Sequence, residues 1–160
     1  MIYEICVDSV AGVRAAKAAG AQRVELCADL LEGGITPSRG TIRQARKVPG
    51  IDLNVMIRPR GGDFLFDDDE FASMRADIET AKAEAADGVV IGLLTAAGEI
   101  DAARTRELVA LARPLSVTFH RVRRRRLSVP GDRDADRAWR RSRADFRPGS
   151  HCSRGIATHC

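Results

Sequence analysis

No stretch of this chain is long enough or apolar enough to span a membrane. Its start has no basic n-region and no small-residue cleavage site, because Met1 leads straight into the apolar segment IYEICV. A secretory signal is therefore not expected, and the cytoplasm is the default compartment. Cysteine is sparse: Cys6, Cys27, Cys152 and Cys160 are the four in 160 residues. In a reducing compartment they should be thiols, which excludes a disulfide framework. Lysine is missing from the last 40 residues, where 12 Arg stand against four Asp, a net of +8. Residues 1–120 hold 14 basic and 18 acidic residues, a net of −4, so the overall +4 describes neither part. A nucleic-acid function argued from charge would rest on the last 40 residues alone, and a nucleic-acid partner is not expected.

What is present reads as an α/β domain. Hydrophobic content of 44% and charged content of 30% are ordinary for a globular chain. Five short β-like segments stand out: Tyr3–Asp8, Arg23–Ala28, Leu53–Pro59, Val89–Leu94 and Leu115–Arg121. Helical segments separate them. The first runs over Ser9–Ala19, with Ser9 as N-cap and Gly20 just past the end. The second covers Ser38–Lys47. The third opens on Asp67, Asp68, Asp69 and Glu70, negative charge where the helix dipole favours it. It continues with Phe71, Met74, Ile78, Ala81 and Ala85 on one face. The fourth starts at Asp101 and ends before Pro114. Strand–helix alternation of this kind predicts βαβ units and a parallel sheet. The joints AAGAQRVEL (Ala18–Leu26) and AADGVVIGL (Ala85–Leu93) echo one another, which favours quasi-equivalent barrel units over a doubly wound sheet.

Strand parity then sorts the side chains. Glu4, Cys6 and Asp8 share one face of the first segment, Glu25 and Cys27 of the second, Met56 and Arg58 of the third, Thr118 and His120 of the fifth. The opposite faces are apolar. The mixed face is expected inside the barrel, where buried charge must be paired or must serve a ligand. Its residues lie toward strand C-termini, where barrel enzymes keep their sites. One reading is a structural ion-pair layer, such as Glu25 with Arg58. The other is functional: Arg58, Arg60, Gly61 and Gly62 in RPRGGDF form an anion-binding loop. Gly33 and Gly34 in LLEGGITPS offer a second loop of this character.

These segments are similar to the CutC family, associated with copper homeostasis. The likeness lies in EICVDS (Glu4–Ser9), RVELCADLLEGGITPS (Arg23–Ser38), MIRPRGGDF (Met56–Phe64), DDDEF (Asp67–Phe71) and VTFHR (Val117–Arg121). It covers residues 1–121. It implies a (β/α)8 barrel of TIM type represented here by about five βα units, a cytoplasmic location, self-association and a role in copper handling. Thiolate, thioether and imidazole suit Cu(I), which makes Cys6 and Cys27 candidate ligands, with Met56 and His120 on the same face. As an enzyme acting on a small anionic metabolite, the chain would use His120 as general acid or base, Glu25 as its partner, and Arg58 and Arg60 as anion clamp.

After Arg121 the likeness stops, and residues 122–160 read as an irregular, arginine-rich tail, expected to be poorly ordered. In the family a segment like AFD, a helix and GLGVDRVLTSGQ would follow. Shifting the reading frame by one base permits Ala-Phe-Asp from Arg121–Val122–Arg123 and GLGVDRVLTSGQ from Arg137 to Pro148. A frame change near the codon of Arg121 is therefore expected, with an incomplete, impaired barrel as its product. It also accounts for His151-Cys152 and His159-Cys160 without a metal site. A third reading makes the basic tail itself an anion or nucleic-acid binder. Five strands would not close a barrel, and the open edges predict poor stability or dependence on a partner.

Overall fold

The computed structural model describes residues 1–120, and the expectations for the basic tail and for Arg121 lie outside the described residues. Five strands alternate with four helices. The order is β1 (Glu4–Val7), α1 (Val10–Ala18), β2 (Arg23–Leu26), a 3-10 turn (Leu30–Glu32) and α2 (Arg39–Arg46). It continues with β3 (Asp52–Met56), α3 (Asp68–Ala83), β4 (Gly88–Ile91), α4 (Ala102–Ala112) and β5 (Ser116–Phe119). The strands form one sheet in the order β1-β2-β3-β4-β5, and every pairing is parallel. Sequential order with a helix after each of the first four strands is the arrangement of a (β/α) barrel, here five of the eight strands that close one.

Local chemistry explains where the helices begin. Ser9 accepts a hydrogen bond from the Gly12 amide, Ser38 from Thr41 and Asp101 from Arg104, as their N-cap placement requires. Asp67 proves to be a cap as well. Its carboxylate accepts from the Glu70 amide while the Glu70 carboxylate accepts from the Asp67 amide, a reciprocal capping box. Phe71, Met74, Ile78 and Ala81 are buried along α3, and each large side chain there contributes about 1.5–3 kcal/mol by leaving water. Ala85 does not join them. It lies past the helix end with φ of 58° and is exposed, and Ala86 occupies the core position instead.

The echo between the two helix–strand joints is real, but its register differs from the sequence match. Gly20 N–H donates to Lys17 O and Ala21 N–H to Ala16 O. Ala85 and Ala86 repeat this with Lys82 and Ala81. Equivalent positions thus pair Gly20 with Ala85, whereas residue-type matching pairs Ala18 with it.

The apolar strand faces pack under the helices as one cluster that includes Val24, Leu26, Leu53, Val55, Ile57, Val89 and Ile91. The opposite face carries a second, smaller cluster of Cys27, Met56 and Val90, with Cys6 and Leu30 against it. The two clusters separate as strand parity predicts. At the N-terminal end of the inner face, Arg23 pairs with Glu4 at 2.6 Å and Asn54 Nδ2 donates to Glu4 Oε1 at 3.2 Å. Gly88 sits between. A Cβ there would lie 2.2 Å from Ser116 Oγ and 2.3 Å from Asn54 Oδ1, so no larger residue fits. Among the described residues no helix is long and apolar enough to cross a membrane. Among them, too, β1 and β5 each pair on one side only, and Ile2, Tyr3 and Ile5 are exposed on or beside β1.

Candidate metal centre

The centre forms on β1 and β2 because their parallel register sets Cys6 opposite Glu25. Cys27 follows two residues later on the same face, and its amide extends the ladder to Val7 O at 2.9 Å. The result brings Cys6 Sγ and Cys27 Sγ to 3.6 Å and Cys27 Sγ to 3.8 Å from Glu25 Oε1. The three donor atoms all lie within 4.8 Å of one another. Cys27 is buried, and Cys6 and Glu25 are half-buried.

A loop closes over the thiol. Ala28 and Ile35 exchange backbone hydrogen bonds of 2.9 and 2.8 Å, which folds the segment after β2 back on itself. This lays Gly34 against Cys27. A Cβ on Gly34 would stand 3.0 Å from Cys27 Sγ, and its φ of +85° disfavours any side chain.

His120 reaches the centre from the far strand. Its amide continues the β4–β5 ladder by donating to Ile91 O at 2.7 Å, and its Nε2 lies 3.5 Å from Glu25 Oε1. Three strand spacings separate β2 from β5, about 14 Å in a flat sheet. Contact between their side chains requires the sheet to curl, as a barrel wall does. One of the two readings of the inner face pairs Glu25 with Arg58 in a structural ion-pair layer. Instead Glu25 faces His120, and Arg58 makes no ion pair among the described residues.

Arg58 is committed elsewhere. Its guanidinium donates to Glu32 O at 3.0 Å, Gly34 O at 2.9 Å and Gly62 O at 2.6 Å. It thus joins the loop after β2 to the loop after β3. It also lies 4.4 Å above the Phe64 ring, which stacks on His120 with centroids 6.3 Å apart. Burial, followed by the nearby charge of Arg60, lowers its pKa. Arg58 Nε is buried with no hydrogen-bond partner. Arg60 points away from this group. It pairs with Glu70 and with Asp63 (3.0 Å), and donates to Leu65 O at 2.8 Å. Gly61 packs its backbone against the Glu32 side chain, where a Cβ would come within 2.8 Å of Oε2, and Gly62 takes a φ of +82°. Of the anticipated site residues, Cys6, Glu25, Cys27 and His120 meet directly, Arg58 adjoins them through Phe64, and Arg60, Gly61 and Gly62 shape the neighbouring loop. The Glu4–Arg23–Asn54 set was not anticipated, although the shared parity of Glu4 and Arg23 carries its trace.

Chemically, the arrangement offers two thiols and a carboxylate to a cation, with an imidazole beside the carboxylate oxygen that faces Cys27. Comparison with known proteins agrees on the fold and on these segments. The sequence profile of the CutC family matches residues 1–124. A CutC family protein of Chromobacterium violaceum is 56% identical over 121 residues, covering 76% of this chain and 49% of its own length. The copper homeostasis protein cutC homologs of Mus musculus and Homo sapiens are 53% and 51% identical over 121 residues, covering 76% of this chain and 44% of each homolog. The crystal structure of a CutC protein from Streptococcus agalactiae superposes with a TM-score of 0.70 at 37% identity. That match covers 75% of this chain and 59% of the other. The chain thus spans about half the length of the curated relatives it matches.

Proposed function

The chain belongs to the CutC family, and from that premise we propose that it handles copper, binding Cu(I) as cargo through Cys6 and Cys27 on the inner face of the barrel wall. The observation that carries this reading is the 3.6 Å approach of the two sulfurs. Soft thiolates select Cu(I) over harder cations, and the polarizable Met56 belongs to the same cluster as Cys27. A cytoplasmic setting suits it, since reducing conditions keep both the thiols and Cu(I) in the required state.

The test is a Cu(I) competition titration against a chromogenic chelator under anaerobic conditions, in a background with Cys152→Ser and Cys160→Ser. Cys27→Ser and Cys6→Ser should each lower the affinity at least tenfold. Retention of Cu(I) by the Cys6→Ser/Cys27→Ser double variant at the affinity of the background protein ends the reading.

A second reading rests on His120 Nε2 facing Glu25 Oε1 at 3.5 Å beside the buried Arg58. An imidazole oriented by a carboxylate can move a proton on a small anionic substrate, with Arg58 the nearest guanidinium. Turnover by the intact chain that His120→Asn abolishes is the result this reading requires.

We further propose that residues 122–160 are coded out of frame, so the copper function is impaired and the open sheet edges favour self-association. The family-like GLGVDRVLTSGQ available in the shifted frame from Arg137 to Pro148 supports this. Reading the gene across the Arg121 codon decides it: stop codons in the shifted frame contradict the idea.

A further inference from the structure

We propose that Glu25 makes the cysteine pair a three-donor site for a divalent borderline cation, zinc above all, an assignment that goes beyond the Cu(I) reading of the same thiols. The argument begins with spacing. Around a tetrahedral ion with metal–sulfur bonds of about 2.3 Å, two sulfurs stand about 3.8 Å apart, and a sulfur and a carboxylate oxygen about 3.6 Å apart. Two sulfurs held on opposite sides of a two-coordinate ion at similar bond lengths stand about 4.6 Å apart. The observed separations are 3.6 Å for Cys6 Sγ to Cys27 Sγ and 3.8 Å for Cys27 Sγ to Glu25 Oε1. These two separations match edges of a tetrahedron and fall about 1 Å short of a linear span, and the third, from Cys6 Sγ to Glu25, lies within 4.8 Å.

The donor types agree with the geometry. A carboxylate adds little for a soft monovalent ion but is an ordinary ligand of zinc alongside thiolate and imidazole. The strand register holds Glu25 in place, directly across from Cys6. His120 Nε2 stands 3.5 Å from the same oxygen, Glu25 Oε1, that faces Cys27, close enough to fix the orientation of the carboxylate. Gly34 packs on Cys27 from the loop side. Three protein donors leave one position of a tetrahedron for an exchanging ligand. The site can therefore discriminate between ions by their charge and coordination number: Zn(II) takes two thiolates and Glu25 at the spacing they already have, whereas Cu(I) needs only the two thiolates, which part by about 1 Å for a linear span.

The experiment compares Zn(II) and Cu(I) binding by the full chain and its Glu25→Gln variant, both carrying Cys152→Ser and Cys160→Ser. Zn(II) is measured by chromophoric chelator competition. Co(II) serves as an optical probe whose intense ligand-field bands and sulfur-to-metal charge transfer report four-coordinate thiolate ligation. Glu25→Gln is expected to weaken Zn(II) at least tenfold and to remove the intense Co(II) bands, while Cu(I) affinity stays within threefold. Unchanged Zn(II) affinity in Glu25→Gln overturns the proposal and leaves the copper reading standing. Equal loss of both metals also overturns it, because the carboxylate would then support the pair without choosing the ion. Loss of Zn(II) from Cys6→Ser/Cys27→Ser with Cu(I) retained would instead overturn the copper reading and leave this site intact.

Discussion

Replacing Arg58 with methionine tests whether this guanidinium staples two loops or waits for an anion. In the structure it donates to three backbone carbonyls, Glu32 O, Gly34 O and Gly62 O, of which the contact to Gly34 is fully buried. Orphaning a buried acceptor costs about 1–3 kcal/mol, and the two half-buried acceptors recover part of that from water. Loss of the contact with Phe64 adds about 0.5–1 kcal/mol. Against this, removing a buried cation whose Nε has no hydrogen-bond partner returns about 1 kcal/mol. The net cost is about 1–3 kcal/mol, a large share of the 5–15 kcal/mol that holds a typical domain together. Urea unfolding followed by far-UV circular dichroism should show the midpoint falling by about 1–2 M. Amide exchange should accelerate at residues 32–34 and at Gly61 and Gly62. Arg58→Lys should lie between, since an ammonium reaches fewer of the three carbonyls at once. An unchanged midpoint in Arg58→Met, together with lost binding of inorganic phosphate, would refute the staple and favour the anion clamp.

Two further perturbations probe neighbouring features. Gly34→Ala places a methyl group 3.0 Å from Cys27 Sγ on a backbone with φ of +85°; it should cost about 2–4 kcal/mol from strain and overlap together and weaken Cu(I) binding, read by denaturation and chelator competition. Glu84 is clamped by Arg39 at 2.5 Å and Arg43 at 2.7 Å. The hydrogen bond from Arg43, then that from Arg39, holds its carboxyl down to about 2. A depressed carboxylate stabilises the fold fully above its unfolded pKa of about 4.3 and loses that contribution as pH falls through the folded value. The stability difference between the unmodified chain and Glu84→Gln should therefore be flat above about pH 5 and shrink toward about pH 2. It should also diminish with added salt, because both arginines are more than half exposed. A difference that grows on acidification contradicts the clamp.

Much of this was legible in the chain before any coordinates. Strand parity alone placed Cys6, Glu25, Cys27, Met56, Arg58 and His120 on one face, because a period of two leaves no other choice once a strand is located. Caps at Ser9 and Asp101 were equally plain, whereas Ser38 reads from sequence only as the start of its helix. The role of Asp67 was not, because four consecutive acids conceal which one caps; the Asp–x–x–Glu spacing to Glu70 is the signal that identifies it. The fate of Arg58 was hidden for a different reason. Its acceptors are carbonyls whose directions depend on the positive φ of Gly33, Gly34 and Gly62, and residue type does not report where a carbonyl points. Pairing choices among inner-face charges depend on register and on sheet curl. For this reason Glu25 faces His120, three strands away, and Glu4 takes Arg23 and Asn54.

Each strand of this sheet leans on the one made just before it, so the wall is laid course upon course from the N-terminus. The donors Cys6, Glu25 and Cys27 belong to the first two courses, and His120 caps the fifth. A change in the chain beyond that point leaves untouched the blocks from which the centre is cut. The donor geometry of the candidate centre is therefore specified within the first 120 residues.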